Sequence, residues 1–299
     1  MLWIFLTIFG ALMNNLRLAL QKNLNNKLST EIVTWARYSF GLPLALLYFF
    51  LAQNSAPHLP QINSNFFFFA ILASLFQILG TIALVNLFQR RNFAVGFSYS
   101  KTEAIQTVLI GAIFFGELIS IKATFAILLG IIGIVIIAAE EKEESSFSFL
   151  KRITSNSALL GIFAGLCFAI SGLSIRNTSL SLGESGLLIK NALVLLVIIF
   201  LQFLILGAWI LLKNSGQFAL LIKNWRGASL IGITSFFGSM GLFAALSLKE
   251  AAYVKGVTQI GIIFSMLISY FFFKEKIKRQ EILGIAILMV SIILLIFFN

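Results

Sequence analysis

The chain has no aspartate, a single cysteine, a single histidine and three prolines, and only 11% of its 299 residues are charged. One cysteine, Cys167, cannot close an internal disulfide, so a stapled secreted scaffold is excluded. His58 lies between Pro57 and Pro60 with no second metal ligand near it, and a chain without aspartate cannot assemble Ser-His-Asp chemistry. No Gly-x-x-x-x-Gly-Lys segment is present, which removes an ATPase engine of that type. No cofactor, metal or catalytic residue is expected, and the protein is not expected to be an enzyme. The scarcity of charge excludes most. Soluble domains carry about 25% charged residues, and so few here cannot cover the outside of a globule of this length.

What is there is apolar. Hydrophobic residues make up 59% of the chain, and the mean hydropathy is +0.99. That content is far too high for disorder, and it makes the solvent a bilayer. The formal net charge of +11 would suggest nucleic acid in a soluble protein. Here the lysines and arginines stand singly or in pairs between apolar runs, as charges that flank membrane spans do, and nucleic-acid binding is not expected.

Ten runs are long enough to cross the hydrocarbon as helices, which takes roughly 20 residues. They are Leu2 to Leu20, Glu31 to Leu51, Phe66 to Phe88, Ala94 to Phe115, Ile121 to Ala139, Ala158 to Asn177, Gly186 to Leu212, Ala228 to Leu248, Ala251 to Phe273 and Ile282 to Phe298. The first lacks the basic start and cleavage site of a secretory signal and reads as a span. Continuous apolar runs also exclude a transmembrane β-barrel, whose strands alternate. The polar segment from Glu140 to Asn156 divides the chain, giving a first five-helix repeat over residues 1–140, a loop over 141–157 and a second five-helix repeat over 158–299. Gly80 and Gly238, Ala94 and Ala252, Phe114-Phe115 and Phe272-Phe273, Glu117 and Glu275, and Ile119 and Ile277 are each 158 positions apart. Five spans per copy is an odd number, so the second copy enters the membrane from the opposite side, an inverted repeat. Lys and Arg concentrate in the connections after the odd-numbered spans, which predicts that side as cytoplasmic.

An ionisable side chain inside a span costs on the order of 3 kcal/mol or more, so each one demands a reason. Asn14, Arg17 and Gln21 share one face of the first span, and Thr34, Arg37, Tyr38 and Gly41 form a stripe on the second. Two readings stand for the arginines: they line an interior, or they snorkel to an interface. The fourth span carries the strongest signal, Tyr99-Ser-Lys101-Thr-Glu103-Ala-Ile-Gln106. On a straight helix Tyr99, Glu103 and Gln106 share a face while Lys101 points about 200° around from Glu103, so those two are not expected to pair. Lys255 and Gln259 on the ninth span and Gln77 on the third add polar groups at depth. Either these residues border a wet cavity that a solute enters, or they form an interhelical hydrogen-bond network. Cations outnumber the single deep acid, which favours an anionic or zwitterionic solute. Glu103 is the group through which protons would couple. Gly161-x-x-x-Gly165 reads as a close helix contact, and Glu117 and Glu275 at span ends read as solvated or capping residues.

Ten spans in two halves, with Phe114-Phe115-Gly116-Glu117-Leu118 and Phe272-Phe273-Lys274-Glu275-Lys276 each followed by a Gly-rich apolar span, resemble the EamA family of the drug/metabolite transporter superfamily. The resemblance covers nearly the whole chain. It implies an all-α carrier of two inverted repeats in a cell membrane, such as a bacterial inner membrane, working as monomer or homodimer. Such a carrier moves small metabolites such as amino acids or organic acids by proton coupling, exchange or facilitated diffusion. The expected contacts are Arg37, Lys101, Glu103 and Gln106, with Asn14, Arg17, Gln77, Tyr99, Lys255 and Gln259 behind them, in a cavity lined by spans one to four and six to nine. The competing classes are a membrane enzyme acting on a lipid-linked substrate and a membrane scaffold without transport.

Overall fold

The computed structural model describes residues 1–54, 58–90, 92–138, 156–214, 216–274 and 279–298. All regular structure among them is helical. The helices are α1 (Leu2–Leu24), α2 (Thr30–Ser39), α3 (Leu42–Asn54), α4 (Ser64–Phe88), α5 (Phe93–Ser100), α6 (Glu103–Phe114), α7 (Ile121–Ala138), α8 (Asn156–Leu180), α9 (Leu187–Asn214), α10 (Gln217–Lys223), α11 (Trp225–Leu248), α12 (Ala251–Val257), α13 (Gly261–Phe271) and α14 (Arg279–Phe297); a 3₁₀ turn, Thr258–Ile260, joins α12 to α13. Seven helical stretches among the described residues are long and apolar enough to cross a membrane, counting Thr30–Asn54 and Ala251–Phe271 as one each, so this is a multi-pass membrane protein. Most of the segment expected as an interrepeat loop, with Glu140 and its neighbours, lies outside the described residues, as do Arg91, Glu275, Lys276 and Lys278.

Several helices stop where their side chains or prolines compete with the backbone ladder. Between α2 and α3, Pro43 lacks the amide that would continue the hydrogen-bond pattern. Between α5 and α6, Ser98 Oγ donates to the Ala94 carbonyl, Ser100 Oγ to Phe97 and Thr102 Oγ1 to Tyr99, drawing carbonyls toward hydroxyls three or four residues on. Between α12 and α13, Thr258 Oγ1 does the same to Lys255. The unbroken helices pack in long pairs, α4 along α8, α1 along α11 and α7 along α14. Buried apolar residues of α2, α4, α8, α9 and α11, among them Ile32, Val33, Phe66, Leu173, Leu195 and Ile231, form the main core.

Glycines set the closest approaches. Gly161 and Gly165 of α8 lie against Tyr99 and against Ser100, Thr102 and Gln106, so the Gly-x-x-x-Gly face seats the break between α5 and α6. At Gly232 of α11 an added Cβ would stand 2.6 Å from the Phe40 carbonyl carbon and 2.9 Å from the Gly41 nitrogen. The obstruction is backbone and cannot swing aside. Gly232→Val is therefore expected to cost about 3 kcal/mol, the upper end for overpacking, read as a fall in the melting temperature of the detergent-solubilised protein of about 5–10 °C. An unchanged melting temperature would show that α11 and the α2–α3 junction can separate freely.

Candidate functional site

The discontinuities bring the deep polar residues together. A cavity of about 90 Å³ is bordered by α1, α2, α4, α5, α6, α8, α11 and α12, with Asn14, Arg17, Arg37, Gln77, Lys101, Glu103 and Lys255 all on its wall. Seven of the ten residues singled out in the sequence thus meet at one place. The other three do not. Gln106 donates through Nε2 to the Ile162 carbonyl (3.3 Å), Tyr99 packs on Gly161, and Gln259 is buried in the 3₁₀ turn against Gly130. No lining residue comes from α9, against the expectation for the seventh span; its Gln202 reaches the site only by donating to Gln77 Oε1 (2.8 Å).

The straight-helix expectation for Lys101 and Glu103 is wrong. Lys101 falls in the turn between α5 and α6, so its side chain leaves the helical phase, and its Nζ lies 2.7 Å from Glu103 Oε1. Lys255 Nζ approaches the other oxygen, Oε2, at 3.2 Å from α12. One carboxylate therefore joins two lysines, one from each half of the chain, and the Lys101 ammonium also stands 4.6 Å from the centre of the Phe97 ring.

Both arginines are buried, Arg17 at 4% and Arg37 at 3% exposure, so neither snorkels. Arg37 donates through Nε to Ser235 Oγ (3.0 Å), Nη1 to Thr81 Oγ1 (3.0 Å) and Nη2 to Gln77 Oε1 (3.4 Å), and all three partners are neutral. Arg17 Nε and Nη1 are buried with no hydrogen-bond partner among the described residues. The two guanidinium groups repel each other across the site. The wall thus holds four cationic side chains and one acid, with a further acceptor, Asn15 Oδ1, unsatisfied beside them. Phe97, Phe168, Leu242 and Phe243 supply an apolar side.

A second cluster stands at the corner after α6, where the sequence suggested only a solvated or capping residue. Gly116 has φ +65, a left-handed turn that suits glycine, and the Glu117 amide then donates back to the Gly111 carbonyl (3.0 Å). That turn carries the Glu117 side chain across to the other half of the chain. Its Oε1 lies 2.7 Å from Arg176 Nε at the end of α8, and its Oε2 accepts from the Ala251 amide at the start of α12 (3.0 Å). Arg176 Nη1 donates to the carbonyls of Leu246 (2.8 Å) and Lys249 (2.6 Å). Burial pushes the Glu117 carboxyl above the usual carboxylate range, and Arg176 with the Ala251 amide offsets that only in part. The sequence placed Arg176 at the edge of a span but gave no signal for this pairing, because its partners Glu117, Leu246 and Lys249 are 59, 70 and 73 positions away.

Residues 155–297 match the EamA-like transporter family. No curated protein matches the chain. A solved structure, described only as the crystal structure of a protein, is similar over 97% of this chain and 94% of its own length, with a TM-score of 0.66 at 13% identity. At that identity the likeness speaks for the fold alone. The family match, over residues 155–297, agrees with the resemblance read from the Phe-Phe-x-Glu segments and the order of apolar runs.

Proposed function

We propose that the protein is a secondary carrier that moves a small anionic or zwitterionic metabolite, of amino-acid or organic-acid type, across a cell membrane such as a bacterial inner membrane. One observation carries this reading: three buried cations, Arg17, Arg37 and Lys101, and the partly buried Lys255 border a cavity with Glu103 as the one acid on its wall. Buried charge without a counter-charge is strongly unfavourable unless a ligand supplies it. A cavity of about 90 Å³ holds a few waters, well below the ~300 Å³ of a typical ligand pocket. Solute entry therefore needs helices to part.

Alternating access of two inverted halves, residues 1–140 and 158–299 joined by 141–157, supplies that motion. Several correspondences support ten spans in this arrangement. The pairing of α4 with α8 mirrors that of α1 with α11. The break at Lys101–Thr102 mirrors the 3₁₀ turn Thr258–Ile260. Gly116 and Lys274, 158 positions apart, both have positive φ, +65 and +56. Gly80 lies against Phe168 as Gly238 lies against Asn14.

The test is counterflow of labelled metabolites in liposomes holding the purified chain. Saturable exchange is expected; product formation would favour a lipid-linked substrate and an enzyme, and neither result would leave a scaffold. Proton coupling through Glu103 belongs to the same reading. Lys101 and Lys255 face its carboxylate directly, and Arg17 and Arg37 lie across the cavity. Glu103→Gln is expected to flatten the pH dependence of uptake while the protein stays folded. A pH profile identical to the wild type would remove Glu103 from coupling.

A further inference from the structure

The charge inventory of the cavity distinguishes between an amino acid and an acid that lacks the amino group. An amino acid brings an ammonium that needs an acidic partner at depth. Glu103 is the acid on the wall, and both its oxygens are engaged, Oε1 by Lys101 at 2.7 Å and Oε2 by Lys255 at 3.2 Å. An incoming ammonium would have to expel one lysine and leave it buried beside two arginines. Vacant capacity of the opposite kind is present. Arg17 offers two unpartnered N–H-bearing nitrogens, and Arg37 is held only by neutral groups, so the acidic end of a solute gains charge-assisted contacts without breaking an ion pair. The unsatisfied Asn15 Oδ1 accepts a hydrogen bond from a hydroxyl. An ammonium at the same acceptor would face the uncompensated cations. Phe97, Phe168, Leu242 and Phe243 accommodate a short apolar body.

We infer that the solute is a small organic acid without an amino group, of 2-hydroxy or 2-oxo acid type, whose carboxylate sits between Arg17 and Arg37. This rests on the carrier reading and narrows it. A phosphate monoester offers a similar anion to the two guanidinium groups, but the small cavity and its apolar side favour the carboxylate.

The experiment compares matched ligands on the purified full chain by thermal shift, which follows ligand affinity for the folded state: L-valine, L-2-hydroxyisovalerate, 2-oxoisovalerate and glycerol 3-phosphate. The hydroxy or oxo acid is expected to bind at least tenfold more tightly than valine. Arg17→Gln is expected to weaken that binding tenfold or more, and Arg17→Lys, which keeps the charge but loses the planar fork, by less. Glu103→Gln, which removes the carboxylate that neutralises Lys101 and Lys255, is expected to tighten acid binding. Valine binding as well as its hydroxy analogue, or selective loss of valine binding in Glu103→Gln, would overturn the inference in favour of a zwitterion. Binding of glycerol 3-phosphate alone would overturn the carboxylate assignment. A shift from none of the four would also overturn it, and saturable counterflow of another solute by the same preparation would show that the carrier reading stands apart from it. The unliganded melting temperature of each variant shows that it folds.

Discussion

Arg37→Leu is expected to reduce saturable uptake by at least about a hundredfold while leaving most of the protein's stability intact. Charge-assisted hydrogen bonds are worth about 1.5–3 kcal/mol each. Two such contacts to a solute anion, or one contact plus the long-range attraction, correspond to roughly two decades in affinity at about 1.4 kcal/mol per decade. The fold tolerates the change because two of the three groups left behind keep other partners. Thr81 Oγ1 still donates to the Gln77 carbonyl (2.7 Å), and Gln77 Oε1 still accepts from Gln202 (2.8 Å). Leucine also removes a buried cation that has no acid partner, which offsets part of the lost packing. Arg37→Lys retains the charge without the fork that spans Ser235, Thr81 and Gln77, so its expected loss is intermediate, about tenfold. Initial rates in liposomes together with the melting temperature check both points. Uptake by Arg37→Leu at the wild-type rate would remove Arg37 from the solute path.

Much of the architecture was legible because bilayer solvent imposes a simple rule. Runs such as Phe66 to Phe88 and Gly186 to Leu212 are too long and too apolar to be anything but helices in oil, and α4 and α9 cover them. The polar residues at depth were legible for the same reason, since each costs free energy unless it has a role. The sequence did not reveal where helices stop. Angular arguments on an unbroken fourth span separated Lys101 from Glu103, whereas the hydroxyls of Ser98, Ser100 and Thr102 bond back to carbonyls and the helix breaks between them. The signal was present in the run Ser98-Tyr-Ser100-Lys-Thr102, where three hydroxyl residues alternate over five positions. The same assumption placed Tyr99 and Gln106 on the cavity face, while the Gly161 and Gly165 contacts take them toward α8. Pairings such as Glu117 with Arg176 depend on which spans become neighbours, which local pattern does not encode.

That corner leads to the second large expected effect. Glu117 joins the end of the α5–α6 unit to α8 and to the start of α12, so parting the halves on this side requires breaking the ion pair with Arg176 and the bond from the Ala251 amide. The pair is only 10–13% exposed, and removing one partner leaves the other poorly compensated. A double-mutant cycle of Glu117→Gln and Arg176→Gln on melting free energy is expected to give a coupling of about 1–3 kcal/mol, as for contacting charged residues. Ser179 is buried beside this corner, its Oγ 2.7 Å from Ser247 Oγ across α8 and α11. In a Cys167→Ala, Ser179→Cys background, Glu117→Gln is expected to raise the rate of maleimide labelling at position 179 about tenfold or more, because ~1.4 kcal/mol of lost tie shifts the closed-to-open ratio by a decade. The sign with pH follows from burial. The Glu117 carboxyl of the closed corner is held above the usual carboxylate range, so the closed corner takes up a proton more readily than an opened, solvated one would, and acid favours closure. Labelling of the protein with Glu117 intact should then slow as pH falls toward that range, after correction for thiol reactivity, and Glu117→Gln should show no such fall. Equal labelling rates in both proteins across pH would show that this corner stays shut by apolar packing alone and that the carboxylate holds no gate.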